Sequence, residues 1–229
     1  RVSANAQLVL ASNDQNGSTS VKELFTENRA VGTFLFWLAF FMCLLMLYAL
    51  GSWLPKLMMA AGYSLGSSLM FLLALNIGAV IGTISGGVLA DRFDFKPVLI
   101  SMLVVGVLSL VGLGFNSPQP VIYLLVSLAG ASSIGSSILL YSYVAQCYPV
   151  AVRSTGIGWA SAVGRTGAIV GPIVIGMLLG MELPHKWNFI AVAIPGIIGA
   201  MAIFFIRPAK TAEIKAEPTV AVSAQPIRS

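Results

Sequence analysis

Between residues 57 and 152 the chain carries charged side chains only within Asp91-Arg92-Phe-Asp94-Phe-Lys96. A stretch that long with so little charge cannot form the surface of a water-soluble domain. Soluble domains are about 25% charged; this chain of 229 residues is 9% charged and 57% hydrophobic, with a mean hydropathy of +0.90. The solvent it suits is a lipid bilayer. The small charged cluster, led by Gly87 and closed by Pro97, then reads as a turn that brings the chain out of the membrane and back in.

A helix needs about 20 apolar residues to cross a hydrocarbon core of roughly 30 Å. Residues 30–55 are charge-free and hold one span. Residues 57–90 hold a second, after the turn at Gly62-Tyr-Ser-Leu-Gly66. Residues 97–152 hold two, divided at Asn116-Ser-Pro118-Gln-Pro120. Residues 154–181 make a fifth, interrupted only by Arg165, and 187–206 a sixth. Barrel strands would instead alternate in segments of about 10 residues, so the expected fold is an all-α bundle of six transmembrane helices over residues 30–206. Residues 1–29 are polar and lack the basic start, apolar centre and cleavage site of a signal peptide. They read as a cytoplasmic linker following an upstream half, or as an ordinary flexible N-terminus. Residues 207–229, rich in Ala, Pro and Lys, read as a disordered cytoplasmic tail.

Basic residues mark the cytoplasmic side of a membrane protein. With six spans both termini lie on one side, and that side collects Arg1, Lys22, Arg29, Arg92, Lys96, Arg153, Arg207, Lys210, Lys215 and Arg228. The opposite side has Lys56 and Lys186. Both termini are therefore expected in the cytoplasm, with the chain in the plasma membrane. The net charge of +5 reflects this topology and does not point to nucleic acid. Cys43, Cys147 and the single His185 make neither a disulfide framework nor a metal site. No cofactor is implied. With no nucleophile–base or metal-ligand constellation either, an enzyme is disfavoured.

Packing signals are dense. Gly78, Gly82 and Gly86 make two GxxxG steps in the second span, and Gly156, Gly158, Gly164, Gly167, Gly171, Gly176 and Gly180 run through the fifth. Small residues let helix backbones approach closely where lipid offers little hydrophobic force between helices. Among groups that could carry chemistry, Arg165 is the sharpest. It lies about 15 Å beyond Thr155 at 1.5 Å rise per residue, near mid-membrane, where a cation costs at least ~2.5–3.5 kcal/mol. Three roles suit it: a structural cation met by carbonyls or by another half, a recogniser of a substrate carboxylate, or a member of a gating pair. No Asp or Glu falls inside a span, so a proton-carrying carboxylate is expected elsewhere. Asn76, Ser132, Ser133, Ser136, Ser137, Tyr141, Tyr143 and Gln146 suit hydrogen bonds between helices, with one or two lining a cavity. Trp37, Phe41 and Tyr48 suit packing or stacking on an aromatic ligand, and Trp53 and Trp187 an outer aromatic belt.

The loop Gly87…Asp91-Arg92…Lys96 resembles the signature loop of the major facilitator superfamily, between the second and third helices of each half. It departs where the family has Gly (here Asp94) and a basic residue (here Phe95). Tyr148-Pro149-Val-Ala-Val-Arg153-Ser-Thr-Gly156-Ile-Gly158, with Gly164-Arg165 and Gly171-Pro172, is similar to the loop and eleventh helix of metabolite–proton symporters. Tyr48-Ala-Leu-Gly-Ser52-Trp53-Leu54-Pro55 is similar to the seventh helix of aromatic acid:proton symporters. The resemblance implies helices seven to twelve of a two-half transporter that moves a small organic anion, an aromatic carboxylate, with protons by alternating access. It implies gating roles for Gly87, Asp91, Arg92, Lys96 and Arg153, with Arg153 as the local partner of Asp91. Substrate contacts fall to Arg165, Asn76, Tyr141 and Trp37. Another metabolite or sugar as cargo, a fragment that does not transport alone, and a receptor remain as alternatives.

Overall fold

In the computed structural model, the described residues are 24–25, 29–115, 117–181 and 184–206. The polar stretch before residue 24, the tail from 207 onward, Asn116 and Glu182 lie outside them. The described residues form six α-helices: α1 (Ala30–Ala60), α2 (Leu65–Phe93), α3 (Phe95–Leu113), α4 (Gln119–Cys147), α5 (Val150–Gly180) and α6 (His185–Phe205). Each is long and apolar enough to cross a membrane.

The ends follow local chemistry. Ser64 caps α2, its side chain accepting from the Ser67 amide. Pro118, Pro149 and Pro184 stand immediately before α4, α5 and α6, where a missing N–H leaves no helical carbonyl unsatisfied. Gly62 (φ +95°) lets the chain turn between α1 and α2. Between α2 and α3, Asp94 is the positive-φ non-glycine residue among those described, at φ 70° and ψ 152°. That region is essentially glycine's own. The family's glycine at this place therefore has a steric reason, and this chain accepts strain there.

Two boundaries differ from the charge-free runs. α1 continues past Pro55 and Lys56 to Ala60. A helical proline removes one hydrogen bond and need not end a helix whose neighbours hold it. The Lys56 ammonium sits 4.5 Å from the Trp53 ring centroid, which shelters the charge at the helix end. α5 begins at Val150 and so runs earlier than Thr155.

Glycines set the packing. A Cβ on Gly78 would overlap the Ser127 carbonyl, one on Gly82 the Ala131 backbone, and one on Gly130 the Leu75 carbonyl. This places α2 against α4 at backbone distance. On the other flank, a Cβ on Gly167 would overlap the Phe41 carbonyl and one on Gly164 would come 2.8 Å from Leu44, which seats α5 on α1. α3 and α6 pack against each other and close the bundle behind α4 and α1. α2 and α5 do not touch. They flank the bundle on opposite sides of α1 and α4.

Candidate functional site

The α2–α3 turn is the first candidate. Asp91 and Arg92 are exposed, and Gly87 has open space where a Cβ would stand. Arg92 reaches over Phe93, 5.8 Å from its ring centroid. Lys96 turns the other way: its ammonium donates to the Ile206 carbonyl at 2.8 Å and lies 5.7 Å from the Phe204 ring. A cation at the C-terminal end of α6 meets unpaired carbonyls and the negative end of the helix dipole. The loop is thereby tied to the end of α6.

Arg153 does not pair with Asp91. Its Nε donates to the Tyr148 carbonyl at 3.4 Å, and α5 and α2 stand on opposite flanks, so the expected local pair is not made. Asp91 carries no hydrogen bond or ion pair among the described residues. Beside Arg153, the Tyr148 and Thr33 hydroxyls lie 2.8 Å apart, and Thr33 donates to the Leu24 carbonyl at 2.9 Å. Burial pushes the Tyr148 phenol above its ordinary range, opposed by its contact with Thr33. This cluster fixes the α4–α5 loop to the start of α1.

The second candidate lies on α5. Arg165 stands midway between Val150 and Gly180, about 22 Å from either end at 1.5 Å per residue. It is exposed on the side of α5 turned away from α1 and has no partner among the described residues. Asn76 is likewise exposed near the middle of α2. Its Nδ2 donates to Leu72 in its own helix at 2.8 Å, leaving Oδ1 free. The fold does not bring Asn76 and Arg165 into contact, since α1 and α4 separate their helices. It does bring Trp37 and Tyr141 each against α5, in two separate aromatic groups. The Tyr141 hydroxyl lies 3.1 Å from Ser161 Oγ on α5, and its ring meets Phe40 of α1 edge-on at 4.8 Å. Trp37 stacks on Trp159 of α5 at 6.0 Å and 25°. Its indole Nε1 is buried without a partner.

Trp159, Ser161 and Thr155 escaped the sequence analysis. Thr155, Trp159, Ala162, Arg165 and Ile169 recur at helical spacing and mark one face, but the glycines of this span drew the attention. The face holds an open concavity of about 330 Å³ lined by Thr155, Gly158, Trp159 and Ala162. The expected interhelical serine bonds are mostly not formed. Ser133, Ser136 and Ser137 donate to carbonyls of α4 itself, the local bond that serine finds most readily within a helix. Ser127 alone of the α4 serines reaches α2, at Ala74 O (3.1 Å). Trp53, expected in an outer belt, is half-buried and donates its indole N–H to the Pro172 carbonyl of α5 at 2.8 Å.

Six apolar helices, close-packed through glycines and bearing one mid-span cation, define a multi-pass membrane protein. The chain belongs to the major facilitator superfamily, whose family model matches residues 36–229. It is 50% identical over 200 residues to the benzoate transport protein of Acinetobacter baylyi, covering 87% of this chain and 43% of that protein. It is 39% identical over 184 residues to the gentisate transporter of Corynebacterium glutamicum, covering 80% of this chain and 41% of that one. With the 3-(3-hydroxy-phenyl)propionate transporter of Escherichia coli it shares 33% identity over 204 residues, or 88% of this chain and 50% of the relative. The chain spans about half the length of these curated relatives. They match the sequence resemblance to aromatic-acid transporters.

Proposed function

We propose that this chain supplies one six-helix half of a secondary transporter that moves a small aromatic carboxylate with protons. The observation that carries this reading is Arg165, a cation without a partner at mid-helix on an exposed face of a membrane span. Facing lipid it would cost at least ~2.5–3.5 kcal/mol. Facing a central cavity it meets the carboxylate of the cargo. Benzoate and gentisate, the cargoes in the names of two relatives, are both such anions.

In this reading a second six-helix half covers the exposed faces of α2 and α5, and transport proceeds by rocking the halves about a site between them. The proton-carrying carboxylate belongs to that other half, because α1–α6 contain no acidic residue other than the rim residue Asp91. Both termini of this chain lie in the cytoplasm, on the side of Asp91, Arg92, Lys96 and Arg153. Asp91 and Arg92 are free to engage the opposing half when the cytoplasmic side closes, while Lys96 and Arg153 hold their own loops in place. Gly87 keeps the surface low where that contact forms. Tyr141 lines the path on the flank of Arg165, Trp37 backs that flank, and Asn76 faces the path from the α2 flank.

Uptake of radiolabelled benzoate and gentisate by the complete transporter in proteoliposomes, with and without an inward proton gradient, tests this. Arg165→Ala is expected to lower uptake more than about a hundredfold, the loss typical of removing one partner of a desolvated charge pair. Arg165→Lys keeps part of it, because a lysine lacks the bidentate fork. An unchanged apparent affinity in Arg165→Ala would reject carboxylate recognition by this residue.

A further inference from the structure

We propose that the open face of α5 around Trp159 seats the aromatic ring of the cargo, and that Gly158 and Ala162 set how large a ring it accepts. The inference rests on the proposed transport of aromatic carboxylates and assigns the ring to a place on this chain.

Trp159 is 43% exposed. One face of its ring is backed by Trp37, and Trp37 is fixed by edge contacts to Phe25 at 5.8 Å and Phe34 at 5.6 Å. The indole of Trp159 is thus held as a rigid plane beside the concavity of about 330 Å³. Offset-stacked aromatic pairs are favoured over random contact, so a flat ring entering there extends a stack already two rings deep.

Gly158 supplies an independent reason. The α5 glycines at 156, 164, 167 and 171 are each pressed against Tyr148 or α1, so a Cβ there meets a neighbour within 3 Å. At Gly158 a Cβ would meet nothing within 4 Å. A glycine inside a helix weakens it relative to alanine, and here no packing among the described residues explains it. Its effect is to keep the floor of the concavity low. Ala162, one turn further, does the same.

Arg165 continues this face, and side chains in a helix lean toward its N-terminus. Arg165 does not itself line the concavity, but its place on the helix directs the side chain toward Ala162, the end away from Thr155. A cation beside an aromatic plane is complementary to a ring bearing a carboxylate. A lipid chain has no use for that cation. Trp37, singled out from the sequence, acts from behind as a positioning residue, and Trp159 makes the contact.

The test uses the complete transporter in proteoliposomes, with membrane abundance measured for each variant. KM and Vmax are read for benzoate and for the larger 2-naphthoate. Gly158→Val fills the concavity from a position with no packed neighbour. It is expected to raise KM about three- to tenfold for benzoate, and more for naphthoate, with Vmax within about twofold. Trp159→Ala should raise KM by a similar factor, and Trp159→Phe, which keeps a plane, should recover most of it. If wild type transports both acids and Gly158→Val leaves both KM values unchanged, the ring site is wrong. The same holds if Vmax alone falls, the result expected of a face that packs against a helix of the opposing half. If wild type takes up neither acid, the transport reading fails and this inference with it.

Discussion

The outer faces of α6 and α5 differ in chemistry although both lie at the surface of the bundle. Along the middle of α6, between residues 190 and 201, the exposed positions are Ile194, Ile197 and Met201, all apolar. Along the middle of α5, between residues 158 and 169, they are Gly158, Trp159, Ala162, Arg165, Thr166 and Ile169, with the apolar Ile173, Val174 and Met177 exposed beyond them. Half of the most apolar window of α6 is buried in the bundle, but only 22% of that of α5. A helix that packs little within its own bundle and carries a mid-span cation and small residues is built to meet something other than hydrocarbon. In the proposed transporter the α6 face meets lipid, and the Arg165 face of α5 meets water, cargo and the second half. Exposure alone does not distinguish these surroundings; the chemistry of the exposed positions does.

Three tests, using four substitutions, probe that contrast in falling order of expected effect. The glycines of α5 should divide into two kinds. Gly167→Ala forces a methyl into the Phe41 carbonyl and should destabilise the bundle by about 3 kcal/mol or more, the upper range of overpacking. Gly158→Ala should be neutral or stabilising by up to about 1 kcal/mol. Thermal unfolding in detergent measures both, and equal losses would abolish the distinction. Next, Ile197→Arg puts a cation on the α6 face at a depth where Arg165 is tolerated on α5. If α6 faces lipid, the change costs about 2.5–3.5 kcal/mol and membrane abundance falls steeply; wild-type abundance would mean α6 is covered by protein. The smallest effect concerns the end of α2. Asp94→Gly relieves a backbone conformation costing about 1–3 kcal/mol for a side-chain-bearing residue and should raise the unfolding temperature. A lowered one would show that the Asp94 side chain does more than tolerate the turn.

Much of this architecture was legible in the sequence, for a simple reason. A membrane span must exclude charge over its whole length, so charge-free runs mark α1 to α6 directly. The glycine steps of α2, and Gly156, Gly164, Gly167 and Gly171 of α5, were equally readable as close contacts, whereas Gly158 and Gly180 make none. Arg165 stood out because its cost is large. What remained hidden depends on partners distant in sequence. The stack of Trp37 on Trp159, and the bond from Lys96 to Ile206, join residues more than a hundred positions apart. Nothing local distinguishes the serines of α4 that bond inside their own helix from Ser127, which reaches across. The charge-free run of the first span stopped at Pro55 because the charged Lys56 follows it. Contacts with α5 and α6, including the bond from Trp53 to Pro172, carry α1 through it.

In the proposed transporter the Arg165 face of α5 fronts a water-filled, cargo-accessible space while the α6 face does not. This is tested most directly by cysteine accessibility in the complete transporter, after Cys43 and Cys147 are replaced by alanine. Single cysteines at Ala162, Thr166 and Ile197 are exposed to a charged, water-soluble thiol reagent in intact membranes. The account predicts labelling at positions 162 and 166, slowed by benzoate, and none at 197. Equal labelling at all three, or labelling at 197 alone, would contradict it.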